Sequence, residues 1–218
     1  ESGSELSENR LLEAECSIDW KANQMGWLLG FYLAEGHTRG RIPTLDASGP
    51  CRREVIFSVA DKETLDIAAR LASVGLHSTV QRHSQGSSRV SVSSPDFWAL
   101  CLTVGKYADG KFIPNAFHCM PVDWQAEFLD GYLFGDGCII KRCNSQERKA
   151  TTISWAIATG IAKMIARVHS KVASISVLYP AGISQIEGRT VAIKEAYSVG
   201  YKLSGSGKTI PGFVDEYG

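Results

Sequence analysis

The sequence predicts an α+β protein made of two copies of one unit of about a hundred residues, which meet near residue 121. Two observations lead to this prediction. Similar segments recur at a nearly constant separation, and helical and alternating patterns follow one another in the same order in both halves. With 218 residues, 44% of them hydrophobic, the chain can bury one sizeable core or two small ones.

The repeat is clearest in LLGFYLAEG at 28–36 and LDGYLFGDG at 129–137. The two segments share, in register, a leucine, two glycines, an aromatic residue and an acid. The acids, Glu35 and Asp136, are 101 residues apart. This match indicates that one structural unit occurs twice.

Two flanking matches follow at a slightly smaller offset. DIAARLASVG at 66–75 resembles KMIARVHSKV at 163–172, and GKFIP at 110–114 resembles GKTIP at 207–211, both 97 residues apart. The change in offset predicts an insertion in the first copy, within HTRGRIPTLDASGPCRRE at 37–54.

The first unit begins with a predicted helix at 25–35, which is mostly apolar, small and aromatic and ends at glycine. The following strand, at 53–60, alternates through Val55, Phe57 and Val59. The remaining predicted elements are a helix at 62–74, strands at 78–83 and 88–94, and a final helix within 94–106.

The second unit repeats the order of helix, two strands, helix and two strands. Its end differs, because AYSVGYKLSGSGK at 196–208 alternates like a strand where the first copy is helical. The predicted elements are a helix at 123–136, strands at 138–143 and 151–158, a helix at 160–173, and strands from 175–179 to 196–203.

Composition limits the possible classes of protein. No segment reaches the run of roughly 18 apolar residues that spans a bilayer, and no signal-peptide pattern is present, so we expect an intracellular protein. The six cysteines form no C-x-x-C pair, which favours neither a zinc site nor a disulfide scaffold.

Charge is unevenly distributed along the chain. The net charge is zero, but residues 1–19 carry six acids against Arg10 alone, which leaves the rest of the chain at +5. We therefore divide the chain into an acidic extension at 1–24 and two repeats at 25–121 and 122–218.

Small residues four apart mark one face of each motif helix. Gly30 and Ala34 share a face of the first helix, and Gly131 and Gly135 share a face of the second. Such residues allow two backbones to approach closely, so we expect the two helices to pack against each other.

The motif acids are not explained by packing. A carboxylate in the last turn of a helix faces the negative end of the helix dipole, and two such ends brought together repel each other. Divalent cations would relieve this repulsion, and carboxylate oxygens suit Mg²⁺, which leaves positions for water and phosphate oxygens. Glu35 and Asp136 are therefore candidate ligands of a metal site that cleaves phosphodiesters.

The two motifs, each followed by K-x-I-P, resemble those of the LAGLIDADG homing endonucleases, in particular the single-chain type found in inteins and as free-standing enzymes. The resemblance covers essentially residues 25–211. It implies two pseudo-symmetric αββαββα repeats, with the motif helices packed at the centre and saddle-shaped antiparallel sheets over the major groove of DNA. It also implies a monomer that makes a double-strand break in a long specific target and leaves short 3′ overhangs.

The same resemblance implies residue roles. Glu35 and Asp136 would bind Mg²⁺, with Mn²⁺ as an expected substitute, and Lys111 and Lys208 would lie near the two scissile phosphates. An ammonium group there can order solvent and stabilise developing charge. GSGKT, around Lys208, is not expected to be a nucleotide-binding loop, since the first glycine of that motif is missing and Pro211 prevents a following helix.

The polar faces of the strands are the predicted DNA-binding surface. Alternation places Val90 and Val92 in the core and Arg89 on the opposite face. His37, next to the first motif, is a further candidate for a phosphate contact. The predicted DNA-binding residues are Arg39, Arg41, Arg52, Arg53, Gln81, His83, Arg89, Lys141, Arg142, Lys149, Lys194 and Lys202.

Two classes of function stay open at this point. The first is a site-specific, Mg²⁺-dependent DNA endonuclease, and the second is a non-cleaving nucleic-acid-binding protein of the same fold, such as a maturase or a regulator. An acid at the end of both motifs favours the nuclease, although glutamate at position 35 is a mild departure from aspartate. Protein splicing is not expected, because position 1 is Glu1 and a terminal His-Asn pair is missing.

Overall fold

The computed structural model describes residues 18–40, 52–83, 86–108, 110–143, 145–186 and 189–204. Predictions for the extension up to residue 17, for Arg41 and for Lys208 lie outside the described residues. The described residues contain no helix that is both long enough and apolar enough to cross a membrane.

The first half has the predicted αββαββα order. A 3₁₀ turn at Asp61–Glu63 precedes its second helix, and a short helix, α4 (Asn115–His118), leads into the second half. Its elements are α1 (Asn23–Glu35), β1 (Gly36–Arg39), β2 (Glu54–Ala60), α2 (Thr64–Ser73), β3 (Ser78–Arg82), β4 (Ser87–Val92) and α3 (Pro95–Val104).

The second half follows the same plan with one addition, a hairpin formed by β8 and β9. Its last described element is the strand β10. Its elements are α5 (Val122–Gly135), β5 (Gly137–Arg142), β6 (Ser145–Thr152), α6 (Trp155–His169), β7 (Ser174–Tyr179), β8 (Gly182–Ile186), β9 (Arg189–Ile193) and β10 (Ala196–Ser204).

Both four-stranded sheets are antiparallel and share one topology. The strand orders are β1-β2-β4-β3 and β5-β6-β10-β7, so β10 occupies the place of β4. The strand predicted at 196–203 is therefore confirmed, and its counterpart in the first half is β4 rather than α3. The hairpin is an insertion between two neighbouring strands of the second sheet.

The strand predicted at 151–158 is wrong in position. The structure has β6 at Ser145–Thr152, and α6 already begins at Trp155. Ser154 explains the helix start, since its side chain accepts the backbone N–H of Ile157 at 3.3 Å and caps the helix. β6 is a central strand that pairs through its backbone with β5 on one side and β10 on the other. Its sequence is polar and lacks the apolar alternation from which a strand is predicted.

The two motif helices, α1 and α5, pack against each other through glycine. A Cβ atom on Gly30 would lie 1.9 Å from the carbonyl oxygen of Phe128, and a Cβ on Gly131 would lie 2.0 Å from that of Trp27. Trp27 and Phe128 are separated by the same 101 residues as the two glycines, so the contact is pseudo-twofold. The predicted close helix pair is confirmed.

Candidate functional site

The close helix contact brings the two motif acids together. A Cβ on Gly135 would lie 2.6 Å from the Cβ of Ala34 and 2.9 Å from the Cγ of Glu35. Asp136 is the next residue, and its backbone N–H donates to the carbonyl of Tyr132 at 3.1 Å, which closes the last turn of α5. Glu35 and Asp136 therefore lie side by side at the facing ends of α1 and α5.

The two carboxyl groups disfavour each other's ionised form. Burial raises the pKa of Asp136 to about 6, and the neighbouring charge of Glu35 adds to this effect. Burial also raises the pKa of Glu35, with a further contribution from Glu63 of the 3₁₀ turn. Lys111 opposes the shift in both groups without cancelling it.

Lys111 is not exposed as a surface lysine would be. Its side chain is only 4% exposed, and its Nζ donates to three backbone carbonyls at the end of α1. Burial lowers the pKa of Lys111 to about 8, although Cys101, Asp136 and Glu35 act in the opposite direction. Its position beside a scissile phosphate stays a prediction.

The residues at the helix ends fit a hard divalent cation. The raised pKa values of these two adjacent carboxyl groups mean that Lys111 does not offset their burial, so a bound cation would stabilise their ionised forms, and carboxylate oxygens are ligands that Mg²⁺ prefers. Within the described ranges no group of three His, Cys, Asp or Glu side chains is placed to hold a metal ion. Glu35 and Asp136 would hold the ion at this site, and water and phosphate oxygens would complete its coordination.

The polar face of the first sheet collects several predicted residues. The strand register pairs Arg89 with Gln81, and the same alternation puts His37 and Arg39 on this face. His83 directly follows β3, and its N–H donates to the carbonyl of Ser87. Four of the predicted residues, His37, Arg39, Gln81 and Arg89, thus share one polar face, and the strand that carries His37 and Arg39 begins directly after Glu35.

One basic residue on this side of the molecule, Lys106, is not marked by any sequence motif. Lys106 lines a groove of about 400 Å³ together with His37, Arg39, Arg89 and Tyr107. Its Nζ lies 5.1 Å from the ring centre of Tyr107. The motif GKFIP directed attention to Lys111, whereas the lysine that faces the groove stands five residues earlier in the chain.

Not every predicted basic residue lies on the polar faces. Arg53 turns to the helical side of its sheet, where its guanidinium lies 5.7 Å from the ring centre of Trp98. In the second sheet, Lys149 and Lys202 share the polar face, whereas alternation puts Lys141 on the opposite face. Of the other predicted residues, Arg52 is exposed and precedes β2, and Lys194 follows β9. Arg142 is the last residue of β5, and its side chain lies outside the described residues.

The pKa shifts predict the pH dependence of stability in metal-free protein. The folded state favours the protonated form of Asp136 over the ionised form. The stability that protonated Asp136 contributes is therefore fully present below the ordinary pKa of about 3.9, and it is lost as the pH rises through about 6. Asp136→Asn is expected to raise the free energy of unfolding at pH 7 by about 2 kcal/mol, after allowance for partial solvation, or roughly 5 °C in Tm.

Thermal unfolding between pH 4 and pH 8 checks this prediction, with Asp66→Asn as control because Asp66 forms an exposed i,i+4 ion pair with Arg70. The control variant is expected to follow the wild-type curve. A Tm for Asp136→Asn that falls below the wild-type value at pH 7 would contradict the electrostatic account of the site.

No family model and no curated protein matches this sequence. Solved structures do match, and the class they define is the LAGLIDADG fold. Mesophilic variants of the homing endonuclease I-DmoI align with a TM-score of 0.55 and 10% identity, over 83% of this chain and 88% of that chain.

A complex of I-DmoI with DNA and Mn aligns with a TM-score of 0.51 and 11% identity, over 83% and 89% of the two chains. The N-terminal LAGLIDADG domain of DUF199/WhiA aligns with a TM-score of 0.44 and 12% identity, over 90% and 84%. The resemblance to LAGLIDADG homing endonucleases predicted from the two motifs is confirmed at the level of the fold.

Proposed function

We propose that this protein is a site-specific DNA endonuclease that hydrolyses both strands of a long duplex target with divalent metal ions held by Glu35 and Asp136. The observation that carries this proposal is the pair of adjacent carboxylates at the facing ends of two close-packed helices. Packing explains the glycines of the motifs but gives no reason for two mutually destabilising acids. Binding of a cation is a function that requires them.

The residues divide the work between metal binding and DNA binding. Mg²⁺ bound there would supply Lewis acidity at the phosphate and a water of lowered pKa as nucleophile. Glu35 and Asp136 would hold the metal as ionised carboxylates, so the affinity for the metal is expected to rise as the pH rises through about 6, the raised pKa of Asp136. Arg39, Arg89 and Lys106 would bind backbone phosphates beside Glu35.

Similar structures support this assignment by what was bound in them. I-DmoI was solved in complex with DNA and Mn and in complex with DNA and Ca, and a variant of I-DmoI was solved with its target DNA in the presence of Mg. We propose the same division here, with Mg²⁺ as cofactor and Mn²⁺ as a substitute. Since one chain supplies both acids and both sheets, a monomer is sufficient for a double-strand break.

Selection from a randomised duplex library tests the proposal. We expect a defined cleaved site to be enriched in the presence of Mg²⁺, and the same site to be bound but intact when Ca²⁺ replaces it. Enrichment of bound sites without any cleavage would instead favour the non-cleaving alternative, a nucleic-acid-binding regulator or maturase. Glu35→Gln serves as the matched control, since it keeps the size of the side chain and removes its charge.

A further inference from the structure

Lys111 is a buried ammonium group whose three protons are all donated. Its Nζ lies 2.7 Å from the carbonyl oxygen of Tyr32, 3.0 Å from that of Leu33 and 2.6 Å from that of Gly36. A lysine ammonium has three donors and no acceptor, so this set of partners is complete. In this arrangement the group has no proton left for a phosphate or a water molecule.

The three carbonyls lie on both sides of one functional residue. Tyr32 and Leu33 belong to the last turn of α1, and Gly36 is the first residue of β1, so the ammonium bridges the helix and the strand across Glu35. The positive charge also sits at the negative end of the helix dipole. Lys111 therefore holds the backbone on both sides of Glu35, which sets the direction of the Glu35 side chain.

The backbone of Lys111 is held by the other half of the molecule. Its carbonyl oxygen accepts a hydrogen bond of 2.9 Å from the hydroxyl of Ser154, the residue that caps α6. Two residues further on, Ile113 packs against α6 at Gly160, where an added Cβ would lie 2.9 Å from the Cδ1 of Ile113. The chain around Lys111 thus follows the second half while its side chain reaches into the first.

The end of the second motif helix can be compared with that of the first within the described residues. By the repeat offset, the carbonyls that correspond to those held by Lys111 belong to Leu133, Phe134 and Gly137. None of the described side chains donates a hydrogen bond to these three groups. The anchoring seen at the end of α1 is therefore particular to the first half within the described part of the chain.

We propose that Lys111 is a positioning residue: anchored by Ser154 of the second half, it fixes the backbone around Glu35 and so sets the first acid relative to Asp136. This inference rests on the proposed endonuclease function for its catalytic consequence. The anchoring itself does not depend on any activity. It assigns Lys111 a role inside the protein rather than at the DNA, and it gives Ser154 a role that no motif indicated.

A pair of substitutions at Ser154 separates the anchor from the helix cap. Ser154→Thr keeps a hydroxyl that both caps α6 and donates to Lys111. Ser154→Asp keeps an acceptor for the N–H of Ile157, since aspartate is a good N-cap, but its carboxylate has no proton for the carbonyl of Lys111. Both variants are expected to stay folded, which circular dichroism confirms before the other measurements.

Acetylation of lysines, followed by mass spectrometry, is the first measurement. Lys111 is expected to be protected in the wild type and in Ser154→Thr and to react at least tenfold faster in Ser154→Asp, with exposed Lys62 as internal reference. The second measurement is cleavage of the selected target under saturating DNA. Turnover is expected to fall about 10- to 100-fold in Ser154→Asp and to be retained in Ser154→Thr, while binding in Ca²⁺ is unchanged in both.

Reaction of Lys111 at the rate of Lys62 in the wild type would overturn the anchoring, even in an active enzyme. If Lys111 reacts faster with the acetylating reagent in Ser154→Asp but turnover is unchanged, the positioning role is overturned. A wild type that cuts no DNA would overturn the proposed function and the catalytic part of this inference, and the protection of Lys111 would still decide the anchoring separately.

Discussion

Gly30→Ala is expected to destabilise the protein by about 3–5 kcal/mol, because the added methyl group would lie 1.9 Å from the backbone carbonyl of Phe128. A backbone atom cannot move aside as a flexible side chain can, so α1 and α5 must separate along their whole contact. Gly131→Ala is expected to have the same effect, since its methyl group would meet the carbonyl of Trp27 at 2.0 Å.

Urea unfolding of both variants measures the effect, with Gly182→Ala as control because an added Cβ there has no atom within 4 Å. The control is expected to change stability by less than about 0.5 kcal/mol. The double variant Gly30→Ala/Gly131→Ala is expected to cost less than the sum of the two, since the helices are already apart after the first substitution. Full additivity would show that the two glycines do not share one contact.

Glu35→Gln and Asp136→Asn are each expected to reduce cleavage of the selected target by at least about 1,000-fold, while binding in Ca²⁺ is retained. Each substitution keeps the shape of the side chain and removes a negative charge that the proposed metal site needs. Asp136→Asn is also expected to be more stable than the wild type at pH 7, so loss of cleavage cannot be attributed to unfolding.

Glu63→Gln is the matched control for these variants. Its carboxylate lies close enough to influence Glu35, but its Oε2 accepts the backbone N–H of Ala60 at 3.2 Å, a contact that glutamine can also make. Cleavage within about threefold of the wild type is expected for this variant. Wild-type cleavage by Asp136→Asn, measured at saturating Mg²⁺ by gel, would contradict the metal site.

The motif helices could be predicted from the sequence because their small residues, apolar residues and terminal acids recur in register. That pattern also predicted the close contact of the two helices, which occurs at Gly30 and at Gly131, and the adjacency of Glu35 and Asp136. Periodicity failed at β6, whose polar residues have no apolar alternation because the strand is stabilised by backbone pairing on both sides. Ser154 marks the true start of α6, because serine is a common N-cap residue. The alternation that predicted a strand at 151–158 takes no account of such a cap.

The positions of Lys106 and Lys111 in the structure could not be predicted from the short GKFIP motif. The similarity of GKFIP and GKTIP suggested equivalent positions for Lys111 and Lys208, but in the first half α3 lies between the last strand and the lysine, whereas only three residues separate Ser204 from Lys208. Burial of Lys111 and exposure of Lys106 to the groove depend on how the chain turns after α3. A linear pattern does not encode that turn.

The hairpin of β8 and β9 has a consequence for how this protein can change. These strands pair only with each other among the described strands, and they join β7 to β10, which are already neighbours in the second sheet. The length of the hairpin can therefore vary, or a foreign segment can be grafted into it. Neither change shifts the register of the second sheet or the contact of the two motif helices. Selection could thus lengthen, shorten or redirect this arm while the acids at the centre stay in place.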